Sequence, residues 1–139
     1  MPSKDASADQ RLPAAALAFV LWGGWAVLAN QSVGIAQAIL AGALQGTASA
    51  VITLIMAALA TRLYHRFHHP LIKVLAPPCL IVSVSSSLLY LIHSLGQTPN
   101  LWLTIIPPSS LALAFCLYLT LRLAKQTRDS VAHSEPNHE

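Results

Sequence analysis

The chain has 139 residues, of which 55% are hydrophobic and only 9% are charged, and its mean hydropathy is +0.58. A soluble domain carries about 25% charged residues. This composition excludes a disordered segment, a nucleic-acid-binding module and an ordinary soluble enzyme, and it indicates an integral membrane protein. The two cysteines, Cys79 and Cys116, both lie in apolar runs and imply no disulfide framework.

Four apolar runs follow one another along the chain, and a helix of about 20 apolar residues spans a bilayer. A polar break, Asn30-Gln31-Ser32, separates the first two runs, and a turn at 96–100 separates the last two. We therefore predict an all-α integral membrane protein with four transmembrane helices in two antiparallel hairpins. The predicted spans are residues 13–29, 33–61, 74–95 and 101–121, with a loop at 62–73, a polar, disordered tail at 1–12 and a second polar tail at 122–139.

The positions of the charged residues predict the orientation of these spans. Residues 12–61 and 74–121 contain no Asp, Glu, Lys or Arg. All eight Lys and Arg residues lie in the two tails and the central loop, and neither hairpin turn has one. Positive loops stay on the cytoplasmic side. This pattern predicts a multi-pass protein of the inner (plasma) membrane with both termini in the cytoplasm and with the basic segments near anionic headgroups, not nucleic acid.

The first apolar run leaves one alternative open. Two basic residues, an apolar stretch and Val27-Leu28-Ala29 are also typical of a signal peptide with a small-residue cleavage site. The run is longer than a usual signal-peptide core and contains Trp22-Gly23-Gly24-Trp25, which favours a retained helix. Cleavage would leave the orientation of the other helices unchanged.

The third helix carries a stripe of small polar residues. Cys79, Ser83, Ser86, Tyr90 and His93 are three or four residues apart and share one narrow helical face. Apolar residues such as Ile81 and Val84 lie on the other side. Because hydrocarbon gives a polar group no partner, we expect the stripe to face the bundle interior or a water-filled cavity, and the apolar side to face lipid.

The second helix has a matching face of small and polar residues. The face contains Gly34, Ala38, Gly42, Gln45, Gly46, Ser49 and Thr53, with Gln37 at its margin. Gly42 and Gly46 form a GxxxG element, which lets two helices approach closely, so Gly42, Gly46 and Ser49 are predicted packing residues. The two glutamines exceed what packing needs, and they either contact a ligand headgroup or bridge to the serines of the third helix.

His93 is the one His, Asp, Glu, Lys or Arg in the predicted spans. Such a group inside a membrane is a functional hypothesis by default. The alternative is a histidine at the membrane boundary, satisfied by water or by a neighbouring carbonyl. The predicted substrate contacts are His93, Gln45, Gln37, Tyr90 and Ser86, at the centre of an uncharged polar rim that holds Asn30, Gln31, Thr98, Asn100, Trp102 and Thr104.

Two proline pairs interrupt the apolar runs. Pro77-Pro78 is predicted to open the third helix, because proline is tolerated in a first turn. At Pro107-Pro108 two alternatives stay open: the fourth helix starts there, or it starts earlier and is kinked there. A kink would free carbonyl groups near Leu103 and Thr104 at the level of His93.

Motifs of known catalytic chemistry are absent from the sequence. Nothing ties a particular serine to His93, no carboxylate lies in the spans, and no nucleotide or redox motif occurs, so we predict neither an enzyme nor a cofactor. The cluster His65-x-x-His68-His69 has no nearby Cys or carboxylate, whereas zinc requires three or four ligands. A basic, aromatic loop against lipid headgroups explains the cluster better, so no metal site is predicted.

The length and the four-span layout are similar to those of two groups of small bacterial membrane proteins. In small multidrug resistance exporters, coupling depends on a membrane-embedded glutamate in the first helix, and residues 13–29 contain no carboxylate. Proton-coupled export of that kind is therefore excluded. GtrA-like proteins, which are linked to movement of polyprenyl-phosphate sugars, match in size and span count alone, and no residue motif places the chain in either family.

Two functions of different classes follow from these features. The first is binding or translocation of an amphiphilic or lipid-linked substrate at a polar site in the outer half of the bundle. The second is a non-catalytic accessory or assembly subunit of a larger membrane enzyme or transporter, docked through the Gly42/Gly46 face. Because four helices make a thin bundle, either function implies a homo-oligomer or a larger membrane partner besides the bilayer. A hydrolase or transferase built on His93 is the weakest hypothesis, since no activating carboxylate is visible.

Overall fold

The computed structural model describes residues 11–134, and these residues form four long α-helices and no strand. All four helices are long and apolar enough to cross a membrane, which confirms the predicted all-α membrane fold. The predicted disordered tail at 1–12 lies almost wholly outside the described residues. The helices are α1 (Arg11–Asn30), α2 (Ile35–Arg66), α3 (Pro70–Leu95) and α4 (Leu101–Ser134), with a short 3-10 helix at Gln31–Val33.

All four helices extend beyond the predicted spans, α1 by only three residues and the others by more. α2 continues to Arg66 and α3 begins at Pro70, so three residues separate them where a loop at 62–73 was predicted. α4 continues through the predicted polar tail to Ser134. Charged side chains end an apolar run without ending a helix, because Lys and Arg are good helix formers. At 1.5 Å per residue, the 32 residues of α2 are about 48 Å long, against a hydrocarbon core of about 30 Å.

Glycines let α1 and α2 pack closely. A Cβ atom added to Gly42 would lie 3.0 Å from the carbonyl oxygen of Gly23, and one added to Gly46 would lie 2.9 Å from that of Phe19. The later residue of α2, Gly46, meets the earlier residue of α1, Phe19, so the two helices are antiparallel. The turn between them uses Gly34 at φ 130°, a conformation that residues with a side chain rarely adopt.

A small apolar cluster joins α2, α3 and α4. Met56 and Ala60 of α2 pack with Ile81 of α3 and Cys116 of α4, and all four side chains are buried. The cluster lies toward the helix ends that carry the basic residues. Many large apolar side chains outside the helix contacts are exposed, as a helix facing hydrocarbon requires.

Both proline pairs lie inside continuous helices. The prediction that Pro77-Pro78 opens α3 is wrong, because the helix already begins at Pro70. Each proline leaves the carbonyl four residues earlier without its helical donor. Other helices offer donors to two of these carbonyls. The Trp25 indole N–H donates to the Leu103 oxygen at 2.9 Å. The Thr120 hydroxyl lies 2.9 Å from the Val74 oxygen, and it also lies 3.0–3.2 Å from two carbonyl oxygens of its own helix.

The predicted inward face of α3 is wrong in part: His93 is buried and Ser86 is half-buried, but the other three residues of the stripe are exposed. Cys79, Ser83 and Tyr90 are exposed, whereas Ile81, which was predicted to face lipid, is buried with Leu89 and His93. The buried face is turned by about a quarter of the helix circumference from the hydroxyl stripe. On α2, by contrast, Ala38, Gly42, Gln45, Gly46 and Ser49 are all buried, as their shared face predicted.

Candidate functional site

His93 is fully buried and bonded at both ring nitrogens. Its Nε2 atom lies 2.8 Å from the Gln45 side-chain oxygen, and its Nδ1 atom lies 2.8 Å from the Thr98 hydroxyl. The Gln45 amide nitrogen donates in turn to the Ser49 hydroxyl at 3.2 Å. These four residues, the His93 network, connect α2, α3 and the turn that follows α3.

The network fixes the roles of the donors and acceptors. The Gln45 oxygen only accepts, so the His93 Nε2 atom carries a hydrogen and donates it. In a neutral imidazole with its hydrogen on Nε2, Nδ1 is an acceptor, and the Thr98 hydroxyl is in place to donate to it. Among the described residues, every buried side-chain nitrogen and oxygen has a hydrogen-bond partner. His93 and Gln45 therefore bond to each other rather than presenting open groups to a ligand.

A second polar cluster joins the end of α1 to the start of α4. The buried Asn30 amide donates to the Ala26 oxygen at 2.8 Å and to the Thr104 hydroxyl at 2.9 Å. Its side-chain oxygen accepts from the backbone N–H of Asn100 at 2.8 Å. The Asn100 side chain closes the cluster by donating to the Ala29 oxygen. Asn30, Asn100 and Thr104, the Asn30 clasp, hold α1 and α4 together at this end.

Three predicted contact residues lie outside the His93 network. Gln37 is exposed on α2. Tyr90 is 49% exposed and stacks against Trp102, with 5.7 Å between ring centroids. Ser86 is half-buried and donates to the Ser109 hydroxyl of α4 at 3.0 Å. The predicted group of five contacts is thus split between one buried network, one helix–helix bond and two exposed side chains.

A cavity of about 520 Å³ lies between the four helices. Its mouth is formed by exposed residues of α1 and α4: Ala14, Leu17, Leu111, Phe115 and Tyr118. Its floor is formed by buried and half-buried residues of α2 and α3, among them Ser49, Met56 and Leu89. α1 and α4 are therefore separated along the cavity and joined beyond it by the Asn30 clasp. Ligand cavities in proteins measure about 300–1,000 Å³.

The walls of this cavity are apolar except for a group of hydroxyls. These belong to Ser49, Thr53, Ser85 and Ser109, and Tyr118 lies at the mouth. Along α2 the order is Gln45, Ser49, Thr53 and Met56, so on this helix the two hydroxyls are nearer to the His93 network than Met56 is. The cavity has a polar end and an apolar end, and Ser49 belongs to both the cavity and the His93 network.

Sequence patterns found only part of this site. Ser49 was predicted as a packing residue, and Ser109 and the α1 wall were not predicted. A cavity wall between helices depends on how far apart the helices stand, and periodicity along one helix does not specify that distance. The proline pair before Ser109 was the one sequence feature that pointed to this part of α4.

The fold defines a multi-pass helical membrane protein with an internal cavity of mixed polarity. Comparisons with protein-family models, with curated proteins and with solved structures find no match for this chain.

Proposed function

We propose that this protein binds an amphiphilic, lipid-like molecule in the cavity between α1 and α4. The observation that carries the proposal is the cavity itself: about 520 Å³, apolar at one end and hydroxyl-lined at the other, with a mouth on the lipid-facing side of the bundle. A chain transferred from the bilayer through that mouth would stay in an apolar environment throughout. The same route serves a molecule that the protein helps to translocate.

The His93 network supports the polar end of this proposed site. Gln45 donates to Ser49, whose hydroxyl proton is not used in that bond and is free to face the cavity. His93 fixes the Gln45 amide through its carbonyl oxygen. In this proposal His93 and Gln45 act as positioning residues behind Ser49, in place of the direct headgroup contacts that the sequence suggested. The partners of His93 are an amide and a hydroxyl rather than a carboxylate, which supports binding over catalysis.

The alternative function as a docked accessory subunit has less support. Its predicted docking surface was the Gly42/Gly46 face, and α1 of the same chain covers that face. A partner would have to displace α1 or dock on the remaining exposed, apolar surface. We retain a homo-oligomer or a larger membrane partner as part of the proposal only because the bundle is thin.

The orientation belongs to the proposal as well. The helix ends at Arg11, Arg66, Pro70 and Ser134 are expected to lie in the cytoplasm, in the inner (plasma) membrane, because the Lys and Arg residues lie in or near these ends. The Asn30 clasp and Thr98 would then lie toward the outer face, and the cavity mouth would open within the bilayer.

Photolabelling tests the binding proposal. The purified protein in lipid nanodiscs is irradiated with a long-chain fatty alcohol that carries a diazirine in its chain, and the labelled peptides are mapped. We expect labelling on cavity residues of α1 and α4. The variant Ala14→Phe fills the mouth and should lose most of this labelling, whereas Ala16→Phe, on an exposed position of the same helix that does not line the cavity, should keep it. Uniform labelling of all lipid-facing residues in both variants would contradict the proposal.

A further inference from the structure

We infer that the ligand of this cavity carries an uncharged hydrogen-bonding group, a hydroxyl, ester or amide, at the end of a single apolar chain. The inference rests on the proposed function and assigns the chemical class of its ligand. Two features of the cavity carry it: the protons and lone pairs at its polar end, and the absence of formal charge around it.

The hydroxyls at the polar end offer both donors and acceptors. Ser49 accepts from Gln45, and Ser109 accepts from Ser86, so the proton of each hydroxyl is left for another acceptor. Ser85 donates to the Val82 oxygen of its own helix, which leaves its lone pairs for a donor. A carbonyl or hydroxyl group can satisfy such a mixed set, because it accepts from one side chain and, in an alcohol, donates to another.

The surroundings of the cavity contain no charge to balance an ion. Its lining includes no Asp, Glu, Lys, Arg or His. Residues 12–61 and 74–121, which supply all of the lining, contain no Asp, Glu, Lys or Arg. Moving a phosphate, sulfonate or ammonium group into a medium of low dielectric constant without a partner costs several kcal/mol. An ionic headgroup is therefore expected to stay at the membrane surface, outside this site.

The geometry also orients the ligand. The hydroxyls are at the end near the His93 network, and Met56, Ala112 and Phe115 line the end nearer to the basic helix termini. The polar group would lie beside Ser49 and Ser109, with the chain directed toward Phe115. One chain fits this arrangement, since the serine and threonine hydroxyls of the cavity offer one place for a polar group, while Tyr118 lies at the mouth.

A set of matched probes tests the class of ligand. Four diazirine probes share one alkyl chain and differ in the polar group: an alcohol, a methyl ester, a sulfonate and a trimethylammonium. The last two stay charged at any working pH. In the wild-type protein we expect the alcohol and the ester to label the cavity. We expect cavity labelling by each charged probe to be lower by a factor of about ten or more.

Two variants test the contribution of the hydroxyls. Ser109→Ala and Thr53→Val each remove one hydroxyl and preserve most of the side-chain volume, and each should reduce cavity labelling by the alcohol by about two- to tenfold. The controls are Ser110→Ala and Thr47→Val, exposed positions on the same helices that do not line the cavity. The controls should label as the wild type does.

The outcomes separate this inference from the proposed function. Equal cavity labelling by charged and uncharged probes would overturn the inference and leave lipid binding standing. Labelling of Ser109→Ala and Thr53→Val at the wild-type level would have the same consequence. Absence of cavity labelling by every probe would overturn both. The comparison of probes uses the wild-type protein, so the test stands even when a variant does not fold.

Discussion

His93 contributes a fully satisfied polar link between helices. Its two ring nitrogens bond to Gln45 and Thr98, each at 2.8 Å. In a membrane interior, no water is present to accept a hydrogen bond from a donor that lacks a protein partner. The histidine thus joins α2 to the turn after α3, and its burial depends on both partners.

Gln45→Leu tests this link at the level of one residue. The variant leaves the Nε2 hydrogen of His93 buried without an acceptor, so the free energy of unfolding should fall by about 1–3 kcal/mol. Gln37→Leu is the control, because Gln37 is exposed on the same helix and should be near neutral. Thermal unfolding in detergent measures both. Equal stability of the two variants would contradict the role of the network.

The behaviour of single hydroxyls explains why the predicted face of α3 was misplaced. Ser87, which is exposed on α3, donates to the Ser83 oxygen at 2.8 Å, so its hydroxyl is satisfied within its own helix. A serine that bonds to its own backbone has no need to face the interior. Periodicity treats every serine as an interior group, and the face that it predicted therefore lies about a quarter turn away from the buried residues Ile81, Leu89 and His93.

At the scale of the helices, the apolar runs and the GxxxG spacing were sufficient to predict four helices and the buried face of α2. Hydrocarbon contact selects long apolar runs, and close backbone approach selects glycine, so both leave a pattern in the sequence. The helix ends left no such pattern. α2 and α4 continue past Thr61 and Leu121 because the residues that directly follow, 62–66 and 122–134, include no Gly or Pro to break a helix.

Gly46→Ala tests the packing of α1 on α2. The added Cβ atom would lie 2.9 Å from the Phe19 oxygen, a backbone atom that cannot move alone, so the two helices must separate. We expect a loss of about 1–3 kcal/mol in stability. Gly24→Ala is the matched control: its Cβ atom would meet nothing within 4 Å, and alanine favours the helix by about 1 kcal/mol. A Gly46→Ala variant as stable as Gly24→Ala would contradict the packing.

A double-mutant cycle tests the bond between Thr120 and the carbonyl that Pro78 frees. Thr120→Val removes the donor to the Val74 oxygen and should cost about 0.6–1.7 kcal/mol. In a Pro78→Ala background the residue at position 78 regains an N–H for the same oxygen, so the same substitution should cost less. Unfolding of the four proteins measures the coupling. Identical costs in the two backgrounds would show that Thr120 does not serve this carbonyl.

At the scale of the whole molecule, the placement of Lys and Arg makes a prediction about topology. A cysteine at Gln97, exposed in the turn after α3, should react with a membrane-impermeant maleimide in intact cells, and one at His68, exposed between α2 and α3, should react only after lysis. The labelling is done in a Cys79→Ser, Cys116→Ala background, so that each protein has one thiol. The reverse pattern would invert the proposed orientation.

The cavity is a property of the whole bundle, because all four helices line it and no helix alone predicts it. The Asn30 clasp keeps α1 and α4 together at one end while they stand apart along the cavity. This arrangement gives an apolar chain a lipid-facing mouth and an uncharged polar end, which is the basis of the proposed function.

Native mass spectrometry of the protein purified from its own membrane tests this account most directly. We predict a bound lipid with one chain and an uncharged polar group, retained in the wild-type protein and in Ala16→Phe and lost from Ala14→Phe. Phospholipid adducts alone, present equally in all three proteins, would contradict it.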